Sequence, residues 1–397
     1  MKITKSKIVR LALAAAVGLS ASAAFAQTIR IGFITSYSGL NGNLGPYMER
    51  AVRLYLKQHE KELGGAKVEL LVRDDTGVNP DKARQLAQEL VVRDKVNLLA
   101  GVVFTPNAMS MAPIATEAKV PFVIMNAGTS VITTRSPYIV RTSFTLWQSS
   151  YPLGQWAAKR FKTAYTLVSD FGPGHDSEEA FVKGFGEAGG KIVDKVRVPL
   201  ANPDFAAYMQ RVKDAKPDAL MVFVPAGKTA TAVMKNFADL GLDKAGIKLI
   251  GPGDITTDEE LQNMGDVALG VLTVHHYSAA ATRPANKAFV DAWKKEYGAN
   301  ETPNFLSAAS WDGAAMIVEA IKQQKGKLDP DKTMEIFKHW KSANSPRGPI
   351  SIDPETRDIV QNEYLREVRK VGGQLANVEL ETIGTAVKDP WKALQKK

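Results

Sequence analysis

Val120 to Met125 is an unbroken apolar run, and the chemistry changes abruptly after it to Asn126-Ala127-Gly128-Thr129-Ser130. The run is short enough for one buried strand. Pro121 stands near its start, where a missing N–H does little harm. Small residues at the carboxyl end of a parallel strand leave backbone N–H groups and hydroxyls open to a crevice. In open α/β sheets that edge is where ligands bind. Such donors fit a carboxylate, because they satisfy its lone pairs without a full positive charge. The same residues also suit an ordinary strand-to-loop turn, so the stretch alone leaves both readings open.

Other suggestive spacings carry less. Gly227-Lys228-Thr229 follows a strand and starts a helix, as the end of a phosphate loop does, but position 222 is Val222 where that loop needs Gly. Gly39, Gly42 and Gly45 do not have dinucleotide-binding spacing. His275-His276 are neighbours in a predicted strand, so they should point to opposite faces and not share a metal. Asp74-Asp75 and Glu259-Glu260 read as solvated or capping acids. No Gly-x-Ser-x-Gly occurs, and no His stands in a readable triad order. These residues predict no enzyme, no cofactor and no metal.

Several loops that follow strands must converge if the carboxylate reading holds. Thr28–Ile34 is the first predicted strand, ending in the flexible turn 35–45. Pro46 opens a helix to about Leu63, where its fixed φ costs nothing. Lys67–Val72 and Val96–Val103 are strands, with a helix from Pro80 to Arg93 between them. A helix over Asn107–Ala118 leads to the strand at Val120. This β-α-β-α-β-α-β order predicts a parallel sheet with helices on both faces. A similar set follows: strands at Thr163–Val168, Lys191–Val198, Asp218–Val224, Lys248–Ile250 and Val271–Tyr277, with helices between them. Three more helices and a strand-rich tail around Val371-Gly-Gly-Gln374 complete the chain. The loops after the strands, at 36–45, 104–107, 126–130, 170–175, 225–227 and 251–254, are candidates for one cleft.

The chain has 397 residues, 45% of them hydrophobic and 23% charged, which suits two globular domains. Met1 to Ala26 reads as a secretory signal: basic residues, then Leu11 to Leu19, then Ala24-Phe25-Ala26. Its removal takes away Lys2, Lys5, Lys7 and Arg10 and no acid, so a net charge of +9 becomes +5. That is too mild to argue for nucleic acid. No later run is long enough to span a bilayer. There are no cysteines, so neither a lipid anchor nor a disulfide is expected.

The mature chain resembles a known family. Ile31 to Gly39, Arg73-Asp74-Asp75, Ala100-Gly101 with Thr105, Asn126 to Ser130, Val140-Arg141-Thr142, Ser169-Asp170 with Gly172, and Gly251-Pro252 carry the match. It is similar to the type I periplasmic solute-binding proteins of ABC importers, in the branched-chain amino acid receptor group. The resemblance implies an α/β fold of two Rossmann-like lobes with parallel sheets and a three-crossover hinge. The lobes would be 27–142 plus 278–349 and 143–277 plus 350–397, crossing near Arg141–Phe144, His275–Ser278 and Gly348–Asp353. It implies periplasmic location and an inner-membrane ABC permease as partner. Thr105 and Ala127-Gly128-Thr129 would hold a ligand carboxylate, with Phe104 covering the side chain and Leu44 near it.

One departure shapes the ligand expectation. Amino acid receptors place an acid just after Gly-Pro to hold the α-ammonium. Here that position is Gly253, with Asp254 one residue later, and a ligand tyrosine is replaced by Ala226. A buried ammonium without a partner costs several kcal/mol. The expected ligand is therefore a carboxylate without the amine, aromatic or hydroxylated, packed by Phe104, Phe171 and Tyr277. The alternatives are an amino acid receptor of the same family, an exported hydrolase, and a sensing module.

Overall fold

A computed structural model of the chain describes residues 28–39 and 41–395. The expected signal segment lies outside the described residues. Two sheets divide the rest. The first holds β1 (Thr28–Thr35), β2 (Lys67–Asp74), β3 (Leu98–Gly101), β4 (Phe122–Ile124) and β5 (Ile139–Arg141). Its order is β2-β1-β3-β4-β5, and every pairing is parallel. Between these strands run α1 (Gly45–Gln58), α2 (Pro80–Val92) and α3 (Thr105–Glu117). Each has Pro in its first two positions, where no intrahelical N–H is lost.

The second half opens with α4 (Leu146–Ala158), locked by a capping box between Thr145 and Gln148. Then come β6 (Thr163–Ser169), α5 (Gly172–Glu187), β7 (Lys191–Val198), α6 (Phe205–Ala215), β8 (Ala219–Phe223), α7 (Lys228–Asp239), β9 (Lys248–Pro252), α8 (Leu261–Met264) and β10 (Leu272–His275). Strands β6 to β10 pair in parallel. Helices α9 (Pro284–Tyr297), α10 (Phe305–Gln323) and α11 (Pro330–Lys338) follow, and α10 packs on α1 of the first half. The tail returns as β11 (Lys341–Ser342), β12 (Ile350–Ile352), β13 (Ile359–Val371) and β14 (Gln374–Val387), and ends in α12 (Pro390–Leu394). Strand β13 adds antiparallel to β10 and extends the second sheet. Central strands β3 and β8 are buried at every residue, as parallel strands covered on both faces must be.

The chain passes between the two halves three times, after β5, after β10 and before β12, and buried arginines tie these passages together. Arg347 donates to the carbonyls of Thr142 and Ser143 and to Gln361, and pairs with Asp312 at 2.8 Å. Arg366 donates to the Tyr277 carbonyl at 2.5 Å.

Four local expectations differ from the fold. The strand expected at Val96–Val103 is shorter, because Gly101 and Val102 turn it out of the sheet at φ +104° and +66°. A short fifth strand, β5, stands where only a crossover was expected. The loop expected over Phe171–His175 is already the first turn of α5. Strand β10 ends at His275, so the alternation argument fails for His276: the two imidazoles meet edge to face at 4.2 Å and both pack on Phe144 and Phe305.

Candidate ligand-binding cleft

Several helices begin at one cavity, and their starts share a feature. Leu44, Phe104 and Phe171 are the N-caps of α1, α3 and α5 and line the cavity; Ala226 lines it one residue before Gly227, the N-cap of α7. None of these four starts has a side-chain cap. Six other helices, α2, α4, α6, α10, α11 and α12, are capped by Asn79, Thr145, Asp204, Asn304, Asp329 and Asp389, while α8 and α9, away from the cavity, also begin without a side-chain cap. Helix starts leave backbone N–H groups without intrahelical acceptors and carry partial positive charge. Left uncapped beside a cavity, they form a setting for an anion.

Thr105 and Thr129 supply hydroxyls there. Their Oγ1 atoms lie 2.9 Å apart, and both residues are buried. Thr105 begins α3 because Val102 bends the chain out of β3. A β-branched residue at φ +66° is strained, and such strain costs about 1–3 kcal/mol. Two hydrogen bonds hold it: Val102 N to the Ile34 carbonyl at 2.7 Å, and Ala127 N to the Val102 carbonyl at 3.2 Å. Arg141 holds the other side. Its Nη1 donates to the carbonyls of Ala127 at 3.0 Å and Thr129 at 2.9 Å, while its Nε pairs with Asp358 at 2.8 Å. Gly128 is packed so closely that a Cβ would strike Leu146.

The cavity is lined by Leu44, Val103, Phe104, Thr105, Asn126, Gly128, Phe144, Leu146, Phe171, Pro173, Phe223, Pro225, Ala226, Asp254 and Phe305. The space left open between these walls is about 30 Å³. That is far below the roughly 300–1,000 Å³ typical of small-molecule sites, so the walls stand close together in this structure. Phe171 and Phe223 stack at 6.1 Å, and Phe144 meets Phe305 edge to face at 5.7 Å. The rims of the two halves touch around the cavity. Asn41 Nδ2 donates to the Ala226 carbonyl at 2.7 Å, and Ser130 N donates to Asp176 Oδ2 at 2.7 Å.

Seven residues singled out from the sequence therefore border one cavity: Leu44, Phe104, Thr105, Gly128, Phe171, Ala226 and Asp254. Thr129 reaches it through the Thr105 hydroxyl. Ala127 and Tyr277 do not border it. Ala127 sits behind the loop with its N–H and C=O spent on Val102 and Arg141. Tyr277 lies beyond the end of β10, fully buried against Phe289. His175, also expected to face the ligand, turns to Asp170 at 2.7 Å instead. Phe144, Leu146, Phe223 and Phe305 were missed, since in sequence they read as ordinary core. Asp75, expected to be solvated or capping, is buried and accepts from Ser36 and Asn107 at 2.7 and 2.8 Å. Among the described residues, no cluster of three or more His, Asp or Glu could hold a metal ion.

Buried acids give the fold an unusual pH dependence. Burial pushes Asp176, Asp254 and Glu259 up to about 7, and Glu363 to about 8. The folded chain therefore binds these protons more tightly than the unfolded chain. The resulting stability is present at acid pH and is lost as pH rises from the ordinary carboxylate range through 7 to 8. His275 and His276 act oppositely: burial, largest, then neighbouring cations hold both well below 6.5, so they destabilise only below that pH. Between pH 6.5 and 8 the four acids outweigh the two histidines, and the melting temperature is expected to fall across that interval. Calorimetry of the ligand-free protein checks this, and a rise instead would contradict the assignment.

Comparison with known proteins agrees with this architecture. The family model described as periplasmic binding protein matches residues 28–374. An ABC-transporter solute-binding protein from Rhodopseudomonas palustris BisB5, solved in complex with 3,4-dihydroxybenzoic acid, is 52% identical, with a TM-score of 0.88; the match covers 92% of this chain and 99% of that one. A second R. palustris solute-binding protein, solved with 4-hydroxybenzoate, is 43% identical with the same TM-score, covering 94% and 100%. The Leu/Ile/Val-binding protein homolog 6 of Brucella melitensis is 42% identical over 378 residues, 95% of this chain and 97% of its own length. A two-lobed α/β chain with helix starts and the Thr105 hydroxyl gathered on one cavity, matched over nearly its whole length by these receptors, belongs to the periplasmic binding protein family, the non-catalytic solute-binding components of ABC importers.

Proposed function

We propose that this protein captures a single-ring aromatic carboxylate for an ABC importer, by closing its two lobes on it. One observation carries the reading. One small cavity combines uncapped helix starts and the Thr105 hydroxyl with walls from Phe104, Phe144, Phe171, Phe223 and Phe305. The donors suit a carboxylate, and the phenyl walls suit a flat ring, which they contact in edge-to-face or offset geometry. The ligands bound by the two R. palustris relatives are of this class. The lobes are taken as 27–142 plus 278–349 and 143–277 plus 350–397, with residues 1–26 as the export signal and an inner-membrane ABC permease as the partner. No helix among the described residues is long and apolar enough to cross a membrane.

A second reading, an amino acid receptor, is favoured by Asp254, whose carboxyl borders the cavity and could face an ammonium group. Thermal shift with benzoate, hydroxybenzoates, aliphatic acids and branched-chain amino acids separates the two, because a ligand of the native state raises its melting point. Aromatic acids are expected to raise it; a response to branched-chain amino acids alone sinks the proposal. Thr105→Val removes one hydroxyl at near-constant shape. It is expected to weaken aromatic-acid binding by about 1–3 kcal/mol in calorimetry. Unchanged affinity would remove Thr105 from the carboxylate site.

A further inference from the structure

Asp254 carries one carboxyl oxygen that the fold itself does not use. It follows β9, is buried, and borders the cavity. Its Oδ2 has no hydrogen-bond partner among the described residues. Buried acceptors are almost always satisfied, and one left open beside a ligand cavity awaits a donor from the ligand. The nearest fixed cation, Arg366, is spent on the Tyr277 carbonyl and on Thr273 and Thr256. It eases the carboxyl electrostatically and makes no bond to it. Asn126 adds a second open acceptor, Oδ1, because its Nδ2 is held by the Val103 carbonyl at 2.8 Å.

We infer that Asp254 is the specificity-determining residue for a ring hydroxyl, accepting its hydrogen bond at Oδ2 so that hydroxybenzoates bind in preference to benzoate. The inference rests on the aromatic-carboxylate reading above. Above its raised pKa of about 7 Asp254 is a carboxylate, and a ligand carboxylate cannot face it there, because two like charges would meet in a dry cavity; the titrations below are therefore made at pH 8 or above. It faces the Thr105 hydroxyl and the helix starts, which leaves the other edge of the ring for Asp254. A phenol donates one hydrogen, and one open carboxyl oxygen accepts it. Benzoate in the same pose leaves Oδ2 buried and unpaired. A site built to hydrogen-bond a hydroxyl discriminates against the analogue that lacks it, since its own buried group goes unmet. A hydrogen bond to a charged acceptor gives a preference of roughly tenfold to a hundredfold.

Calorimetric titration of the full mature chain with benzoate, 3-hydroxybenzoate and 4-hydroxybenzoate tests this. The wild type is expected to bind the better hydroxybenzoate at least about tenfold more tightly than benzoate. Asp254→Ala is expected to bring that ratio within about threefold, and Asp254→Asn, which keeps an acceptor oxygen, to retain part of it. The ratio is read within each variant, so a loss of folded protein does not mimic the effect. Equal weakening of all three ligands in Asp254→Ala, with the ratio kept, would assign the residue a structural role and overturn the inference. A wild-type ratio near one overturns it even if neither variant folds. Binding of none of the three acids overturns the aromatic reading itself, and with it this inference; equal binding of all three overturns the inference alone.

Discussion

Arg141→Met is expected to lower stability by about 3–5 kcal/mol and to abolish tight ligand binding in whatever protein remains folded. The guanidinium is fully buried and meets Asp358 at 2.8 Å. Removing it leaves that carboxylate in a dry interior with Lys392 as its one remaining cationic partner. The Phe144 carbonyl loses a donor at 3.4 Å, and so do three carbonyls of the cleft loop: Ala127, Thr129 and, at 3.4 Å, Ser130. Those carbonyls define the path of the loop that carries Gly128 and the Thr129 hydroxyl. An unstrapped loop no longer holds Thr129 within 2.9 Å of Thr105. Chemical denaturation reads the stability, and titration with an aromatic acid reads the affinity. Asp358→Asn serves as a second reading, because it keeps the guanidinium and its carbonyl contacts while removing the charge. If Arg141→Met melts and binds as the wild type does, the loop is held by its own packing.

The two effects belong to one design. Cleft residues in this fold are backbone groups and small hydroxyls, which cannot position themselves. Their placement comes from buried cations behind them: Arg141 under the first rim, and Arg347 and Arg366 where the chain passes between halves. Such cations are costly to bury, and burial lowers the pKa of Arg347 and Arg366. Arg141 and Arg347 are satisfied mainly by carbonyl oxygens, and Arg366 by the Tyr277 and Gly253 carbonyls and the Thr273 and Thr256 hydroxyls, so moving a rim means moving a whole hydrogen-bonded group. In the closure proposed above, the packed halves move about three passages of chain, a small set of hinge residues taking the change.

What the sequence made legible follows from this division. Strand carboxyl ends announce themselves by a switch from apolar residues to Gly, Thr and Ser, so Gly128 and Thr129 could be read directly, while Thr105 was named through the family resemblance within a loop already expected at the cleft. The alternation of strands and helices fixed the sheet that places them. The walls could not be read, because Phe144, Phe223 and Phe305 have the same composition around them whether they face a ligand or a neighbour. Tyr277 was misplaced because alternation was carried past the true end of β10 at His275. The bend at Val102 was invisible, since nothing in a valine signals a positive φ; only the hydrogen bonds from Ala127 and to Ile34 enforce it. Arg141 stood out through family resemblance alone, because its carbonyl partners are distant or unremarkable in sequence.

Gly253 carries the other large expected effect. A Cβ there would come under 3.0 Å of both the His275 ring and the Arg366 guanidinium. Neither can retreat: His275 is packed against Phe144 and Phe305, and Arg366 is tied to Tyr277 and Thr273. Gly253→Ala is therefore expected to cost at least about 1–3 kcal/mol by overpacking. Gly253→Glu is expected to cost more and to give no amino acid binding, although it restores the acid that the resemblance places in amino acid receptors. His275→Ala should recover much of the Gly253→Ala loss, since contacting sites are not additive. A double-mutant cycle by denaturant unfolding measures this directly. A neutral Gly253→Ala would show that the pocket behind β9 has slack. A Gly253→Glu chain that folds and binds leucine would show that the ligand class turns on that one position. The expected outcome is the reverse: imidazole and guanidinium have taken the space an ammonium-binding acid would need, and the site has been left to ligands without an amine.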